Sequence, residues 1–343
     1  MFACTIRMKF SVVVCTYNFA HLLPDTLRSI AAQTARDFEL LIVDDGSTDN
    51  TEEIAEKFRP HFRDFRYLKK SHTGPADSRN VGATAAQGSH IAFLDADDLW
   101  SVHYLAVMQE AFNTNPQAEL ALCEGIIFRS ENGAVTEVAP HRGLPALCGP
   151  VHSPEELFAV IQAFTPSGMV FSRVLFERTG PFDTDSFASY SEDIDWMFRA
   201  LMAGTYCVCV KRPLYLYRRH DENLTNKAGE SFRAWLTTYT KTLREGRQDP
   251  RIEGLARDVI RARAARFLTT CSTHEGKLLL RQALETLGGD AWVRICYLGS
   301  FLGLVTLLKS LKQARQFCLR RLKRKLAINL GSSWEAVFDL FPM

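Results

Sequence analysis

Residues 88–98 read Gly-Ser-His-Ile-Ala-Phe-Leu-Asp-Ala-Asp-Asp, and this stretch decides the fold. Its centre, Ile91 to Leu94, is an apolar run of the kind found in strands that are buried on both faces of a sheet. Carboxylates follow at once, at Asp95, Asp97 and Asp98. The sequence therefore predicts a buried strand that ends in a cluster of acidic side chains.

Strand and helix patterns alternate around that stretch. Further buried strands are predicted by the apolar runs Phe10–Cys15, Phe38–Val43 and Phe65–Leu68. Helical spacing of apolar residues, or a proline in the first turn, predicts helices over His21–Gln33, Thr48–Phe58 and Pro75–Ala86. Strands that alternate with helices favour an α/β fold with a doubly wound parallel sheet.

Residues suited to ligand contacts stand at the carboxyl ends of three predicted strands. They are Thr16-Tyr17-Asn18, Asp44-Asp45 and Asp95-Ala96-Asp97-Asp98. Ligands of open α/β sheets bind beyond the carboxyl ends of the strands. The sequence therefore predicts one binding site built from all three segments.

The acidic segment at residues 95–98 suits a divalent metal ion that bridges diphosphate oxygens. Such an ion takes hard oxygen ligands and needs few protein carboxylates when phosphates complete its shell. Strand alternation places Asp95 and Asp97 on one side, whereas a turn would select Asp98 instead. The alternative is an acidic turn that only caps a helix starting near Val102.

Two other segments also carry two interpretations each. Asp44 and Asp45 predict a carboxylate that accepts hydrogen bonds from a nucleobase or ribose, or a plain turn in which Ser47 or Thr48 caps the next helix. Arg79 predicts a guanidinium that contacts a diphosphate, or simply an exposed arginine on a helix.

Residues suited to proton transfer and metal binding are also predicted further along the chain, at residues 192–193 and 220. Glu192-Asp193 opens a helix, and the helix dipole there favours the ionised carboxylate that a general base requires. Acidic residues in the first turn are common in any helix, which is the alternative. His220 stands beside carboxylates and suits manganese or a similar ion, or it is an ordinary surface histidine.

Together these segments resemble family 2 glycosyltransferases. The resemblance covers about residues 9–226 and rests on the following ordered segments: Val12-Val-Val-Cys-Thr-Tyr-Asn18, Val43-Asp-Asp-Gly-Ser-Thr-Asp49, Ser78-Arg-Asn-Val-Gly82, residues 88–98, Gly180-Pro-Phe-Asp183, Glu192-Asp193 and Tyr217-Arg-Arg-His-Asp-Glu-Asn-Leu-Thr225. It implies a fold of the glycosyltransferase A (GT-A) type, with a Rossmann-like, doubly wound mixed sheet.

The resemblance also implies a reaction and roles for residues. The reaction is an inverting single displacement from a nucleotide-diphosphate sugar, such as a UDP-sugar, with Asp193 as the base and Glu192 beside it. Asp45 and the Thr16–Asn18 segment would hold the nucleoside, and Asp95 and Asp97 would lie at the ribose and metal. His220 would lie near the metal or diphosphate, and the metal would be Mn²⁺ or Mg²⁺.

The sequence departs from the family pattern in ways that bear on function. Cys15 stands where proline is frequent, and Ser191 stands where glycine often precedes the acidic pair; neither change removes a reacting group. The Gln-x-x-Arg-Trp motif of processive synthases is absent, which favours the addition of one sugar per encounter. The expected acceptor is a glycan or a lipid-linked molecule of cell-surface polysaccharide biosynthesis. An inactive nucleotide-sugar-binding scaffold is the alternative.

The remainder of the chain predicts a second region. A helix is predicted at Ser153–Phe164 and a pair of strands at Tyr206–Val210 and Leu214–Arg218. A boundary near residue 228 divides a catalytic domain, 1–228, from a helical region, 229–343.

The apolar run Ile295–Leu308 is shorter than the about 20 residues that span a bilayer. With the basic segment that follows, 295–325 favours a helix lying on an anionic membrane surface, or a solvated helix packed on the catalytic domain.

Composition restricts partners and location. The formal net charge of +2 is close to zero, so nothing in it favours nucleic-acid binding. The nine cysteines form no Cys-x-x-Cys pair, which favours a reduced setting. We therefore expect a cytoplasmic protein, peripheral on the cytoplasmic face of the membrane.

Overall fold

The computed structural model describes most of the chain. It covers residues 9–131, 134–141, 143–185 and 191–223, then 233–241 without 235, 254–260 without 256 and 259, 273–286, 289 and 291–301. Within these residues the strands are β1 (Phe10–Thr16), β2 (Phe38–Asp44), β3 (Phe65–Lys69), β4 (His90–Asp95), β5 (Leu99–Trp100), β6 (Leu120–Glu131), β7 (Ala134–Pro140), β8 (Cys148–Gly149), β9 (Met169–Ser172) and β10 (Cys207–Arg218).

Helices lie between many of these strands and after the last one. They are α1 (Leu23–Ala31), α2 (Thr51–Phe58), α3 (Pro75–Ala85), α4 (Tyr104–Thr114), α5 (Pro154–Ala163), α6 (Arg173–Thr179), α7 (Glu192–Met202), α8 (Thr273–Thr286) and α9 (Ala291–Phe301), with short 3₁₀ turns at Arg59–His61 and Pro166–Gly168.

The strands form one mixed sheet in the order β3-β2-β1-β4-β9-β6-β10-β5, with β7 against β6 and β8 against β10. The first four strands of that order are parallel to one another. Beyond β4 the direction alternates: β9 is antiparallel to both β4 and β6, while β10 is parallel to β6. The sheet is therefore mixed, as the family resemblance implies, whereas the strand-helix alternation alone predicted a parallel one.

The prediction of two strands at 206–210 and 214–218 was wrong. A single strand, β10, runs from Cys207 to Arg218 along β6, with register shifts between Val210 and Pro213 and between Pro213 and Tyr215. Proline has no amide hydrogen to donate to a ladder, so it marks an irregularity at Pro213 without ending the strand.

Close packing fixes α3 against the sheet behind the site. Val12, Val13 and Val14 of β1 are all fully buried, as expected of a central strand with both faces covered. A Cβ atom on Gly82 of α3 would lie 2.3 Å from Cγ1 of Val13, so only glycine allows the helix to approach this closely. The close contact between Gly82 and Val13 therefore fixes the position of α3, the helix that carries Arg79.

The chain divides into two compact units. The described residues of the first lie within 9–184 and 196–219, and those of the second within 185–195 and 220–301. Within the predicted helical region 229–343, the structure describes α8 and α9; residues 302–343, which include most of the 295–325 segment, lie outside the described residues. No helix among the described residues is long and apolar enough to cross a membrane.

Candidate active site

The register of the parallel strands brings their predicted ligand segments together at one edge. Thr16, the last residue of β1, pairs with Asp44, the last residue of β2. Cys15 pairs with Asp95 at the end of β4 on the other side. The segments that follow β1, β2 and β4 therefore start side by side, as the sequence predicts.

The loops after β1 and β2 are joined by hydrogen bonds around Asn18. Its backbone N donates to Ser47 Oγ at 2.9 Å, and its side-chain Oδ1 accepts from the backbone N of Thr48 at 2.8 Å. Asn18 has a φ of 56°, the left-handed conformation that asparagine tolerates better than most residues. The next helix starts only at Thr51, whose N donates to Asp49 Oδ1 at 3.1 Å. Ser47 and Thr48 therefore do not cap that helix; they hold Asn18.

Asp44 is held within this loop structure. Its carboxylate is buried and accepts hydrogen bonds from Ser47 N at 2.9 Å and from the Tyr67 hydroxyl at 2.5 Å. Burial together with that hydrogen bond raises the pKa of Tyr67. The contacts of Asp44 tie the end of β2 to its own loop and to β3.

Asp45 is surrounded by the segment that links β3 to α3. The residue is 4% exposed. Oδ1 accepts from Lys70 Nζ and from Thr73 N at 3.0 Å, while Oδ2 accepts from Gly74 N at 2.9 Å. Nδ1 of His72 lies 2.8 Å from Oδ2. The motif pattern did not identify Lys70 or His72, because a polar loop carries no periodic signal that marks a contact.

An aromatic pair lies beside Asp45. The rings of Tyr17 and His72 are stacked, with centroids 4.0 Å apart and an interplanar angle of 19°. Tyr17 is 39% exposed, which is unusual for a large ring next to a buried strand end. Next to it, Thr16 is buried, and its Oγ1 makes no hydrogen bond within the described part of the chain. These groups are suited to contact a planar, polar ligand.

The side chain of Arg79, on α3, reaches Asp95 at the end of β4. Its Nη2 donates to Asp95 Oδ1 at 2.9 Å, and the residue is buried, which contradicts the reading of Arg79 as an exposed helix arginine. Burial and the neighbouring Asp97 raise the pKa of Asp95, whereas the Arg79 charge lowers it. Burial also raises the pKa of the nearby Cys15 thiol to about 12.

Asp98 is enclosed. It is 1% exposed, Oδ2 accepts from Ser167 Oγ at 2.6 Å, and Oδ1 accepts from Arg218 N at 3.0 Å. Burial, with the charges of Asp97 and Asp95, raises its pKa well above the usual carboxyl value. It is not the cap of α4, which starts at Tyr104 with His103 in the capping position.

Arg218 of β10 holds the acidic turn in place and was missed from the sequence. Its Nε donates to the carbonyl oxygen of Asp97 at 2.9 Å, and its Nη2 donates to Asp25 at 3.1 Å. Nη1 donates to Ser130 at 2.9 Å, and the guanidinium lies 4.8 Å from the centre of the Phe128 ring. The sequence shows two adjacent arginines, Arg218 and Arg219, and does not indicate which of them is buried. In the structure Arg218 is buried and Arg219 is exposed.

The acidic turn fits a hard divalent cation. Besides burial, the charge of Asp97 raises the pKa of Asp95, and the charges of Asp97 and Asp95 raise that of Asp98; a cation would relieve this repulsion. Asp97 is half-buried, and it lies between the enclosed Asp98 and the Arg79-paired Asp95. The described residues contain no group of three or more histidine, cysteine or acidic side chains that could hold a metal ion.

The second unit contains the other predicted residues. At the start of α7, Glu192 is buried and Asp193 is half-buried, and Asp193 Oδ1 accepts from Ile194 N at 2.8 Å. Asn223 contacts His220 twice: Oδ1 accepts from the His220 backbone N at 2.8 Å, and Nδ2 lies 3.0 Å from Nε2. Because the amide nitrogen can only donate, Nε2 is the acceptor in the second contact.

Comparison with known proteins shows which protein families the sequence matches. The model of glycosyl transferase family 2 matches residues 11–143, and that of glycosyl transferase family group 2 matches residues 90–310. An uncharacterised glycosyltransferase from Nostoc sp. is 34% identical over 231 residues. That match covers 63% of this chain and 66% of the Nostoc protein, so the chain spans just under two thirds of its relative.

Solved structures share the fold. The chain resembles residues 1–349 of TarS from S. aureus, a structure containing UDP-GlcNAc, with a TM-score of 0.68, 18% identity and coverage of 90% and 92% of the two chains. It also resembles the mannosyltransferase PcManGT from Pyrobaculum calidifontis, a structure containing GDP-Man and Mn²⁺, with a TM-score of 0.55, 20% identity and coverage of 90% and 88%. These likenesses confirm the predicted GT-A type of fold.

Proposed function

The chain belongs to glycosyltransferase family 2, and on that basis we propose that it transfers a sugar from a nucleotide-diphosphate donor, a UDP-sugar, to a glycan or lipid-linked acceptor. The proposed reaction inverts the anomeric centre and adds one sugar per encounter. The observation that carries the proposal is the register of β1, β2 and β4, which places Tyr17, Asp45 and Asp95 at one sheet edge.

The nucleoside would bind at the ends of β1 and β2. Tyr17 would offer the base the ring face that stacks on His72 in this structure, and aromatic stacking contributes about 1 kcal/mol beyond burial. Asp45 would accept a hydrogen bond from a base N–H, and the buried Oγ1 of Thr16 is available to a polar ligand atom. Asn18 would fix the loop that carries these groups.

The ribose and diphosphate would extend toward β4. Asp95 would accept from the ribose, and Arg79, which already faces it, would supply positive charge to the diphosphate. Asp97 and His220 would hold Mn²⁺ or Mg²⁺, with His220 giving the cation the Nε2 lone pair that contacts Asn223 Nδ2 in this structure. The enclosed Asp98 would support the acidic turn from within. When bound, the cation supplies charge neutralisation for the departing diphosphate.

Asp193 would act as the general base. It would accept the proton of the acceptor hydroxyl as that oxygen bonds to the anomeric carbon on the face opposite the diphosphate. The carbon–oxygen bond to the diphosphate breaks in the same step, and the nucleoside diphosphate leaves with the electron pair. Asp193 stands in the first turn of α7, where the helix dipole favours the ionised carboxylate that a general base needs.

Donor turnover tests this proposal. Release of UDP from UDP-sugars in the presence of Mn²⁺ is measured for the wild type, Asp193→Ala and the control Asp195→Asn. We expect the Asp193 variant to lose about 10²–10⁴-fold in rate, the usual contribution of a general base. Equal rates for wild type and Asp193→Ala would reject the base assignment. A wild type that binds donor but never turns it over would favour the inactive scaffold.

We also propose that the protein lies on the cytoplasmic face of a membrane through the segment 295–325, with the catalytic domain in 1–228 and the helical region in 229–343. Two apolar residues of α9, Ile295 and Leu298, are exposed, which supports a surface for lipid. Co-sedimentation with vesicles containing anionic lipid at physiological salt tests it. A protein that stays in the supernatant would favour the solvated helix.

A further inference from the structure

We propose that His72 occupies the place of the nucleobase when no donor is bound, and that the donor must displace its imidazole to bind. The inference rests on the proposed nucleoside site and deepens it. His72 makes both contacts that the site would offer a base: its ring stacks on Tyr17, and its Nδ1 contacts Asp45.

The stack leaves no room for a base between the two rings. Their centroids are 4.0 Å apart at an interplanar angle of 19°, which is the spacing of direct ring contact. A base that uses this face of Tyr17 must therefore replace the imidazole. The imidazole is free to leave, because His72 is 56% exposed at its side chain and the segment that carries it lies on the surface.

The carboxylate of Asp45 leads to the same conclusion. A carboxylate has about four acceptor positions. Lys70 Nζ and Thr73 N occupy Oδ1, while Gly74 N and His72 Nδ1 occupy Oδ2. A base N–H finds an acceptor only if one of these donors withdraws.

His72 is the donor that withdraws at least cost. Thr73 and Gly74 donate through backbone N–H groups at the start of α3, so their withdrawal would move the helix. Lys70 is largely buried and also contacts Asp77 Oδ2 at 3.0 Å. Only the imidazole can leave by side-chain rotation. Its Nδ1 also lies 3.2 Å from the Asp45 carbonyl oxygen, so it faces acceptors only and carries a proton there, as a base N–H would.

Calorimetric titration with UDP, and in parallel with GDP, in the presence of Mn²⁺ tests the inference in the full chain. We expect His72→Ala to bind the accepted nucleotide about fivefold more tightly than wild type, the scale of one aromatic stack and one hydrogen bond from an exposed side chain. The matched control is His61→Ala, another exposed histidine, which contacts Phe58 and none of the site residues named above; its affinity should equal that of wild type.

A second measurement does not depend on affinity. The imidazole Cε1–H resonance of His72, identified by its absence from His72→Ala, should shift when UDP or GDP saturates the wild type, because the ring leaves Tyr17. An unmoved resonance at saturation, or weaker binding by His72→Ala, would overturn the inference while leaving the proposed function intact. A wild type that binds neither nucleotide would overturn the proposed function, and this inference with it.

Discussion

Replacement of Arg218 by methionine should destabilise the protein while keeping most of the volume of the side chain. The change removes three charged hydrogen-bond donors, to Asp97 O, Ser130 Oγ and Asp25 Oδ2, from a residue that is almost fully buried. Each bond to a charged group is worth about 1.5–3 kcal/mol, and part of that is regained because the guanidinium no longer has to be desolvated. We therefore expect a loss of about 3–5 kcal/mol, in line with other broken buried pairs.

Urea unfolding followed by tryptophan fluorescence measures this loss. With an m-value of about 3 kcal/mol per molar, the midpoint should fall by about 1–1.7 M. The matched control is Arg219→Met at the next, exposed position, which should change stability by less than about 0.5 kcal/mol. Equal midpoints for the two variants would refute the assignment of Arg218 as the residue that holds the acidic turn.

Two further predictions concern the loop after β2 and the acidic turn after β4. Gly46→Ala should lower stability by about 1–3 kcal/mol in thermal unfolding, because Gly46 has a φ of 82° and a Cβ would lie 3.1 Å from both His72 N and Lys70 O; an unchanged melting temperature would contradict this. Asp98→Asn should gain stability relative to wild type as pH rises from 4 to 7. The folded-state pKa of Asp98 is raised, so its contribution is greatest below the unfolded-state pKa and is lost as pH rises through the folded-state value, whereas asparagine does not titrate. A stability difference that stays constant across this pH range would show that Asp98 does not titrate as the structure indicates.

The part of the fold that the sequence predicts best is the part whose local pattern and tertiary role agree. Phe10–Cys15, Phe38–Val43 and Ile91–Leu94 are apolar because both faces of their strands are covered, and the structure places strands β1, β2 and β4 there to within two residues at each end. Polar residues directly after such strands are necessarily near one another in a parallel sheet, so the site edge was predictable as well.

The contacts that complete the site depend on geometry that a linear pattern does not contain. His72 and Lys70 reach Asp45 from a polar loop, and Arg218 differs from Arg219 only in the direction of its side chain. Asp97 and Asp98 likewise looked interchangeable in sequence; the turn buries Asp98 against Ser167 and leaves Asp97 half-buried. The pairing of one residue with a distant one decided each case, and no short-range rule gives that pairing.

The hydrogen bonds around Asn18 have a consequence for the way in which this protein could change its donor. They join the loops after β1 and β2 through groups of the protein itself, so the backbone of the proposed base-binding end is held in place and little of its conformational entropy is lost on binding. The same hydrogen bonds make these two loops a separate part of the proposed site. Substitutions at residues 16–18, 45–48 and 70–74 would alter base preference while leaving the acidic turn and α7 as they are.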